Sequence, residues 1–302
     1  MKKILYIALF LVFTLTLAAC ENDNDNDKLT VVTTTTYIYD MVKTIGGEHV
    51  EVQSLMSVGV DPHDFQPRQS DTKRIQQADL VIVNGLNLEE RMGEVLSRMD
   101  DDKLLVLGDY VSSETLIYET ENVVDPHIWF DISIWKALSD VAGQRLQTMD
   151  PSNATYYDNR TESYINDLTM LESYVKSRVA SLDEDNRILV SAHDAFAYFG
   201  KAYGFEVHAV QGISTASEAS ISDIESLAKL LVELDINRVF WESSVPQGTV
   251  DALVEATLDL GHDVSVGGQL YSDSTGDYMS GHETYIRTFR ANIDTIVDAL
   301  LE

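Results

Sequence analysis

Residues 150–182 read DPSNATYYDNRTESYINDLTMLESYVKSRVASL, and this stretch decides the architecture. Asp150 offers an N-cap, Pro151 suits a first helical position, and no glycine or further proline interrupts the run to Leu182. Ile165, Leu168, Leu171, Val175, Val179 and Leu182 recur every three or four residues, giving one apolar stripe beneath a polar face. At about 1.5 Å per residue, some thirty residues make a rod of about 45 Å, long enough to run from one folded lobe to another. A single rigid helix restricts hinge motion, so small domain movements on ligand binding are expected.

On both sides of this helix, short β-branched runs alternate with helical patterns, the signature of an α/β fold with mostly parallel strands. Before it, Leu29 to Thr35, Val50 to Met56, Asp79 to Asn84 and Lys103 to Leu107 read as strands. Helices are expected near Tyr37 to Ile45, Ser70 to Ala78 and Leu88 to Met99. After it, strands at Arg187 to Ala192, Phe205 to Val210, Ile236 to Trp241 and Asp263 to Val266 alternate with helices near Ala195 to Tyr203, Ser222 to Leu234, Gln247 to Leu260 and His282 to Leu301. The chain thus reads as two mostly parallel-sheet lobes, residues 29–150 and 183–302, joined by a single long helix at 151–182. Each lobe is large enough for a full core, and no solenoid-type repeat is present.

The N-terminus has a different character. Met1-Lys2-Lys3 precedes an apolar stretch from Ile4 to Ala19 that is short for a membrane span, so residues 1–19 read as a signal peptide. Leu17-Ala18-Ala19-Cys20 is similar to the bacterial lipobox, which makes Cys20 a lipid-anchored residue; an uncleaved anchor helix with a free thiol is the alternative. Cys20 is the only cysteine, so no disulfide forms within the chain although export would permit one. Residues 21–28, ENDNDNDK, lack apolar side chains and read as a disordered acidic tether, reaching about 25 to 30 Å at full extension. Two acyl chains suffice for stable anchoring. With 50 Asp+Glu against 21 Lys+Arg, the net charge of −29 excludes nucleic acid as a partner, because a polyanionic surface repels phosphate.

Asp61-Pro62-His63 and Asp125-Pro126-His127 repeat one tripeptide in two loop-like segments. Proline locks its own φ and biases the preceding residue toward extended geometry, so each histidine is presented from a stiffened backbone, as a ligand should be. Each aspartate is well placed to accept from a second ring nitrogen, in its own tripeptide or across the site, fixing the coordinating tautomer. His193 ends a strand in Leu189-Val190-Ser191-Ala192-His193, and Asp273 lies just beyond the last strand. Ligands bind outside the carboxyl ends of parallel strands, so His63, His127, His193 and Asp273 are expected to meet in a cleft between the lobes. Three neutral imidazoles and a carboxylate suit four-coordinate Zn²⁺ and also serve Mn²⁺ or Fe²⁺. His49, His208, His262 and His282 read as surface or packing residues. Glu242, at a strand end, reads as a hydrogen-bonding neighbour rather than a ligand. Tyr39, Phe65, Trp129 and Trp135 either wall the cleft or fill the core.

These segments resemble a known family, the metal-binding lipoproteins that serve as solute-binding components of bacterial ABC transporters for zinc, manganese and iron. The resemblance is carried by Gly59 to Pro67 (GVDPHDFQP), Asp125 to Asp131 (DPHIWFD), Ser191 to Phe199 (SAHDAFAYF), Gln211 to Thr215 (QGIST) and Leu270 to Ser274 (LYSDS). It implies two α/β lobes joined by one long helix, and ligands at His63, His127, His193 and Asp273. Many manganese-type members carry glutamate where this chain has His193, so the three-histidine, one-aspartate subgroup fits better. Dedicated zinc members often have a histidine-rich loop before the second motif, whereas Gly108 to Val124 holds no histidine. The implied activity is capture of Zn or Mn as transported ligand and delivery to an ABC permease, by a monomer lipid-anchored outside the cytoplasm and not by an enzyme. A metal-dependent hydrolase would need an open coordination position and a general base, and no His-Glu-x-x-His or nucleophile-elbow pattern occurs. A surface adhesin is compatible with transport.

Overall fold

The computed structural model describes residues 28–302; the expected leader, Cys20 and nearly all of the tether lie outside the described residues. In the first lobe β1 (Leu29–Thr33), β2 (Val50–Ser54), β3 (Leu80–Val83) and β4 (Leu104–Val106) form a parallel sheet in the order β2-β1-β3-β4. All four residues of β3, Leu80-Val81-Ile82-Val83, are buried, as in a parallel sheet covered on both faces. Around it pack α1 (Thr36–Gly46), capped by Thr35 through a bond from the Ile38 amide, and α2 (Gln69–Gln77). The helix expected from Leu88 is only a 3₁₀ turn at Glu90–Met92 and a single turn, α3 (Gly93–Leu96). Glu89, whose carboxylate folds back onto the Asn84 and Gly85 amides, has a non-helical backbone (φ −97°, ψ 44°), and Gly85, Leu86 and Asn87 before it all take positive φ (78°, 55° and 65°).

Two elements were not expected. A small antiparallel hairpin, β5 (Tyr118–Thr120) and β6 (Val123–Val124), leads into the second Asp-Pro-His segment. After that segment comes α4 (Ile132–Met149), capped by the Asp131 carboxylate, which accepts from the Ser133 amide at 2.8 Å.

The long helix is α5 (Ala154–Val179), 26 residues. It starts later than Pro151 because Pro151–Asn153 forms a 3₁₀ turn, while the Asp150 carboxylate bonds the Asn153 amide (2.7 Å) and the Tyr157 hydroxyl (2.8 Å). Helices α4 and α5 pack as a hairpin, and Gly143 permits their close approach, since a Cβ there would collide with Thr161 Oγ1.

In the second lobe β7 (Ile188–His193) pairs with β8 (Glu206–Gln211), and β9 (Arg238–Glu242) pairs with β10 (Ser265–Leu270), both parallel, with β7 lying alongside β9. Helices α6 (Ala197–Tyr203), α7 (Ile221–Glu233), α8 (Gly248–Asp259) and α9 (Tyr285–Leu301) complete the lobe. One continuous core runs from Val31, Ile38 and Met41 through Trp135 and Leu138 of α4 and Leu168 and Leu171 of α5 to Phe240, Leu270 and Phe289. The lobes are therefore fused through their helices as well as linked by one. No helix among the described residues is long and apolar enough to cross a membrane.

Candidate metal centre

His63 lies in the loop after β2, His127 in the segment between β6 and α4, His193 at the last position of β7, and Asp273 just after β10. All four thus sit at or beyond carboxyl ends of strands, two from each lobe. The repeated tripeptide has one local geometry: Asp61 Oδ1 accepts from the His63 amide and Asp125 Oδ1 from the His127 amide, each at 2.8 Å. The side chain closes a turn while proline fixes its middle.

One donor atom from each of the four lies within 4.8 Å of the others. His127 Nε2 is 3.3 Å from both His63 Nε2 and His193 Nε2. The Asp273 carboxylate is 3.5 Å from His127 Nε2, 3.5 Å from His193 Nε2 and 3.9 Å from His63 Nε2. Donors about 2.0–2.1 Å from a common centre, the Zn–N distance, stand about 3.3–3.4 Å apart along a tetrahedron's edge. His127 and His193 are fully buried, Asp273 is 1% exposed and His63 6%, so His63 marks the side nearest solvent.

The ring nitrogens facing away are held unequally. Asp125 Oδ1 is 2.7 Å from His127 Nδ1, inside its own tripeptide. Glu242 takes this place beside His193: Oε1 accepts from the His193 amide at 2.8 Å and Oε2 lies 2.5 Å from Nδ1, an ion-pair contact without hydrogen-bond alignment, so it stands beside the four clustered donors rather than among them. Asp61 departs from expectation. It takes the His63 amide on one oxygen and the Thr215 hydroxyl on the other, and no bond joins it to the His63 ring. Asp273 is itself held by the Ser244 hydroxyl, 2.9 Å from Oδ2.

The electrostatics suit a cation. Burial, opposed by Asp273, pushes the His63 pKa down to about 3, leaving a neutral imidazole. Burial also disfavours charge on His127, but the carboxylates of Asp125 and Asp273 outweigh it and lift the pKa to about 9. His193 is raised in the same way, against burial, by Glu242 and Asp273. Asp273 is held well below the usual carboxylate range by the imidazoles around it, although burial works against it.

Of the four aromatics considered, Trp129 abuts one of the four candidate donors, edge-on to His127 with ring centroids 5.2 Å apart. Its indole N–H also donates to the Ser272 carbonyl (2.9 Å), tying the first lobe to the loop that carries Asp273. Trp135 is core, stacked on Tyr285, and Phe65 packs against the outer core of the first lobe. His49, His208, His262 and His282 stay outside the cluster, against Tyr156, Glu206, the Ile236 carbonyl and Tyr271 respectively. Sequence reasoning missed Ser244, Thr215 and Asn84, whose amide donates to the Pro126 carbonyl at 2.9 Å. Thr215 closes the QGIST segment that carries part of the resemblance, but nothing in the local sequence assigns a bonding role to any of the three.

Comparison with known proteins places this geometry in context. The profile of the ZnuA family, zinc-uptake complex component A periplasmic, matches residues 31–299. The manganese-binding lipoprotein MntA of Bacillus subtilis is 41% identical over 266 residues, 87% of each chain. The zinc-binding protein TroA of Treponema pallidum is 39% identical over 264 residues, 87% of this chain and 86% of that one. The solved structure of periplasmic zinc-binding TroA from the same organism superposes with a TM-score of 0.89 over 90% of this chain and 99% of that chain, at 39% identity. A match across nearly all described residues, on a fold that gathers three imidazoles and a carboxylate between two lobes, makes this chain a member of the ZnuA family of metal-binding solute-binding proteins of ABC transporters.

Proposed function

We propose that the protein captures a divalent transition metal, Zn²⁺ or Mn²⁺, between His63, His127, His193 and Asp273 and delivers it to the permease of an ABC importer. The observation that carries this reading is the clustering of the donor atoms: His127 Nε2 stands 3.3 Å from each of the other two imidazole nitrogens, close to the edge of a tetrahedron around zinc, and the Asp273 carboxylate lies 3.5 to 3.9 Å from all three. Four side chains fill that shell and leave no position for a reacting water, which favours carriage over hydrolysis. By intrinsic affinity zinc exceeds manganese, and imidazole-rich sites follow that order. Names of the relatives divide between manganese and zinc. The lipobox-like segment at Cys20 and the lipoprotein relatives support a lipid-anchored protein on the extracytoplasmic side of the membrane; on this reading it acts as a monomer, with residues 29–150 and 183–302 as its lobes and 151–182 as the link.

Differential scanning calorimetry and isothermal titration with Zn²⁺ and Mn²⁺ test this. Bound metal raises Tm by mass action, with the larger rise for zinc. His63→Ala and His193→Ala abolish most of the rise while leaving the ion-free fold intact. Unchanged titration curves in both variants, or no shift with either metal in the parent, defeat the reading.

A further inference from the structure

Between β3 and α3 a carboxylate is buried that takes no part in the metal cluster. Glu89 is 5% exposed and accepts three neutral donors: Thr34 Oγ1 (2.6 Å) and the Asn84 amide (2.9 Å) on Oε1, and the Gly85 amide (3.0 Å) on Oε2. It closes a loop whose next residues, Gly85, Leu86 and Asn87, are all left-handed. Two of these are not glycine, and such conformations persist only where the surroundings over-determine them. What the loop presents is the Asn84 side chain. The Asn84 backbone is held at both ends, by Glu89 on its N–H and by the Gly108 amide on its carbonyl (2.8 Å). Its fully buried amide donates to the carbonyl of Pro126 at 2.9 Å, one residue before His127. On its other side the loop lines, through Leu86 and Asn87, a cavity that also reaches His63.

We propose that Glu89 is a positioning residue for metal capture: through Asn84 and the Pro126 carbonyl it sets His127 Nε2 at the point shared with the other three donors. The chain of contacts runs from the end of β1 through Thr34, Glu89, Asn84 and Pro126 to His127, and no side chain before His127 is among the four donors. A carboxylate is required because both oxygens must accept. In Glu89→Gln the new NH₂ faces the Gly85 N–H, donor against donor, and the loop must shift. This inference rests on the metal-site reading above.

The test uses Glu89→Gln and Asn84→Ala, each titrated with Zn²⁺ against a chelator and with Co²⁺, whose d–d absorption reports the geometry of the donor set. Both variants lose about tenfold or more in Zn²⁺ affinity, as altered support of a ligand does, and both change the Co²⁺ spectrum. The double variant loses little more than either alone, because the two act in series. If Glu89→Gln melts earlier but keeps the parent's Zn²⁺ affinity and Co²⁺ spectrum, the carboxylate is structural only and the proposal is overturned. Should that variant not fold, Asn84→Ala decides alone, since it cuts the link and leaves the carboxylate in place; parent-like binding overturns the proposal. A parent that binds neither ion removes the metal-site reading itself.

Discussion

A histidine binds a metal through one nitrogen and is aimed by whatever holds the other. Here the buried pair, His127 and His193, lean on the carboxylates of Asp125 and Glu242, while His63 has its backbone held but no bond from Asp61 to its ring. Two replacements of similar chemistry should therefore differ. In Glu242→Gln the amide N–H donates to His193 Nδ1, which drives the ring proton to Nε2, the nitrogen that must be bare to bind an ion. We expect a loss of about 10- to 100-fold in Zn²⁺ affinity. Asp61→Asn keeps an acceptor for the His63 amide and should cost far less; equal losses in a chelator competition would contradict this account. The histidines themselves were legible, because proline and strand ends constrain where a side chain can point. Which carboxylate serves which ring was not, since Glu242 reaches His193 across two neighbouring strands, 49 residues apart in the chain.

Among the elements, the hairpin of α4 and α5 shows what the sequence carried and what was overlooked. Helix α5 announced itself by an unbroken apolar stripe, and Leu168, Leu171, Val175 and Val179 are buried as that stripe requires. Helix α4 carried comparable signals: Asp131 as N-cap, then Ile132, Trp135, Leu138, Ala142 and Leu146 on one face, all buried. By contrast, the loss of the helix expected from Leu88 was not readable, because it follows from Glu89 folding back onto Asn84 and Gly85. The close contact at Gly143 gives a test of the hairpin. Gly143→Ala forces a methyl into Thr161 and should cost about 1–3 kcal/mol by overpacking, a fall of several degrees in Tm. Zn²⁺ affinity should be unchanged, since the hairpin supports both lobes and carries none of the four candidate donors; an unchanged Tm would mean the helices can part without cost.

At the scale of the molecule, the shared core and the bonds across the cleft oppose independent motion of the lobes. Trp129 holds the Ser272 carbonyl, the Gly59 amide donates to Ser274 (2.9 Å), and the Thr275 amide donates to Thr36 (2.8 Å). Large apolar interfaces of this kind suppress hinge closure. Small-angle scattering of ion-free and Zn²⁺-loaded protein should give nearly superimposable curves, and a large contraction would contradict the fused core. A second joint between the lobes is Asp40 of α1, which accepts from the Tyr285 amide at the start of α9 at 2.9 Å. Burial, only partly offset by that bond, pushes its pKa up to about 6 from 3.8. A raised carboxyl favours the folded state below pH 3.8 and loses that contribution as pH rises through 6, when the buried group must ionise. Asp40→Asn keeps the acceptor without the charge, so it should be more stable than the parent at pH 7.5, by up to about 3 kcal/mol, with the advantage vanishing near pH 4. Denaturant titrations at both values check the sign. The order of the donors along the chain, at positions 63, 127, 193 and 273, has a consequence for assembly. The final carboxylate arrives when nine-tenths of the polypeptide has been laid down, so no N-terminal fragment that ends before Asp273 can make the complete set. A partly made chain therefore lacks the complete donor set until the segment beyond β10 has joined the fold.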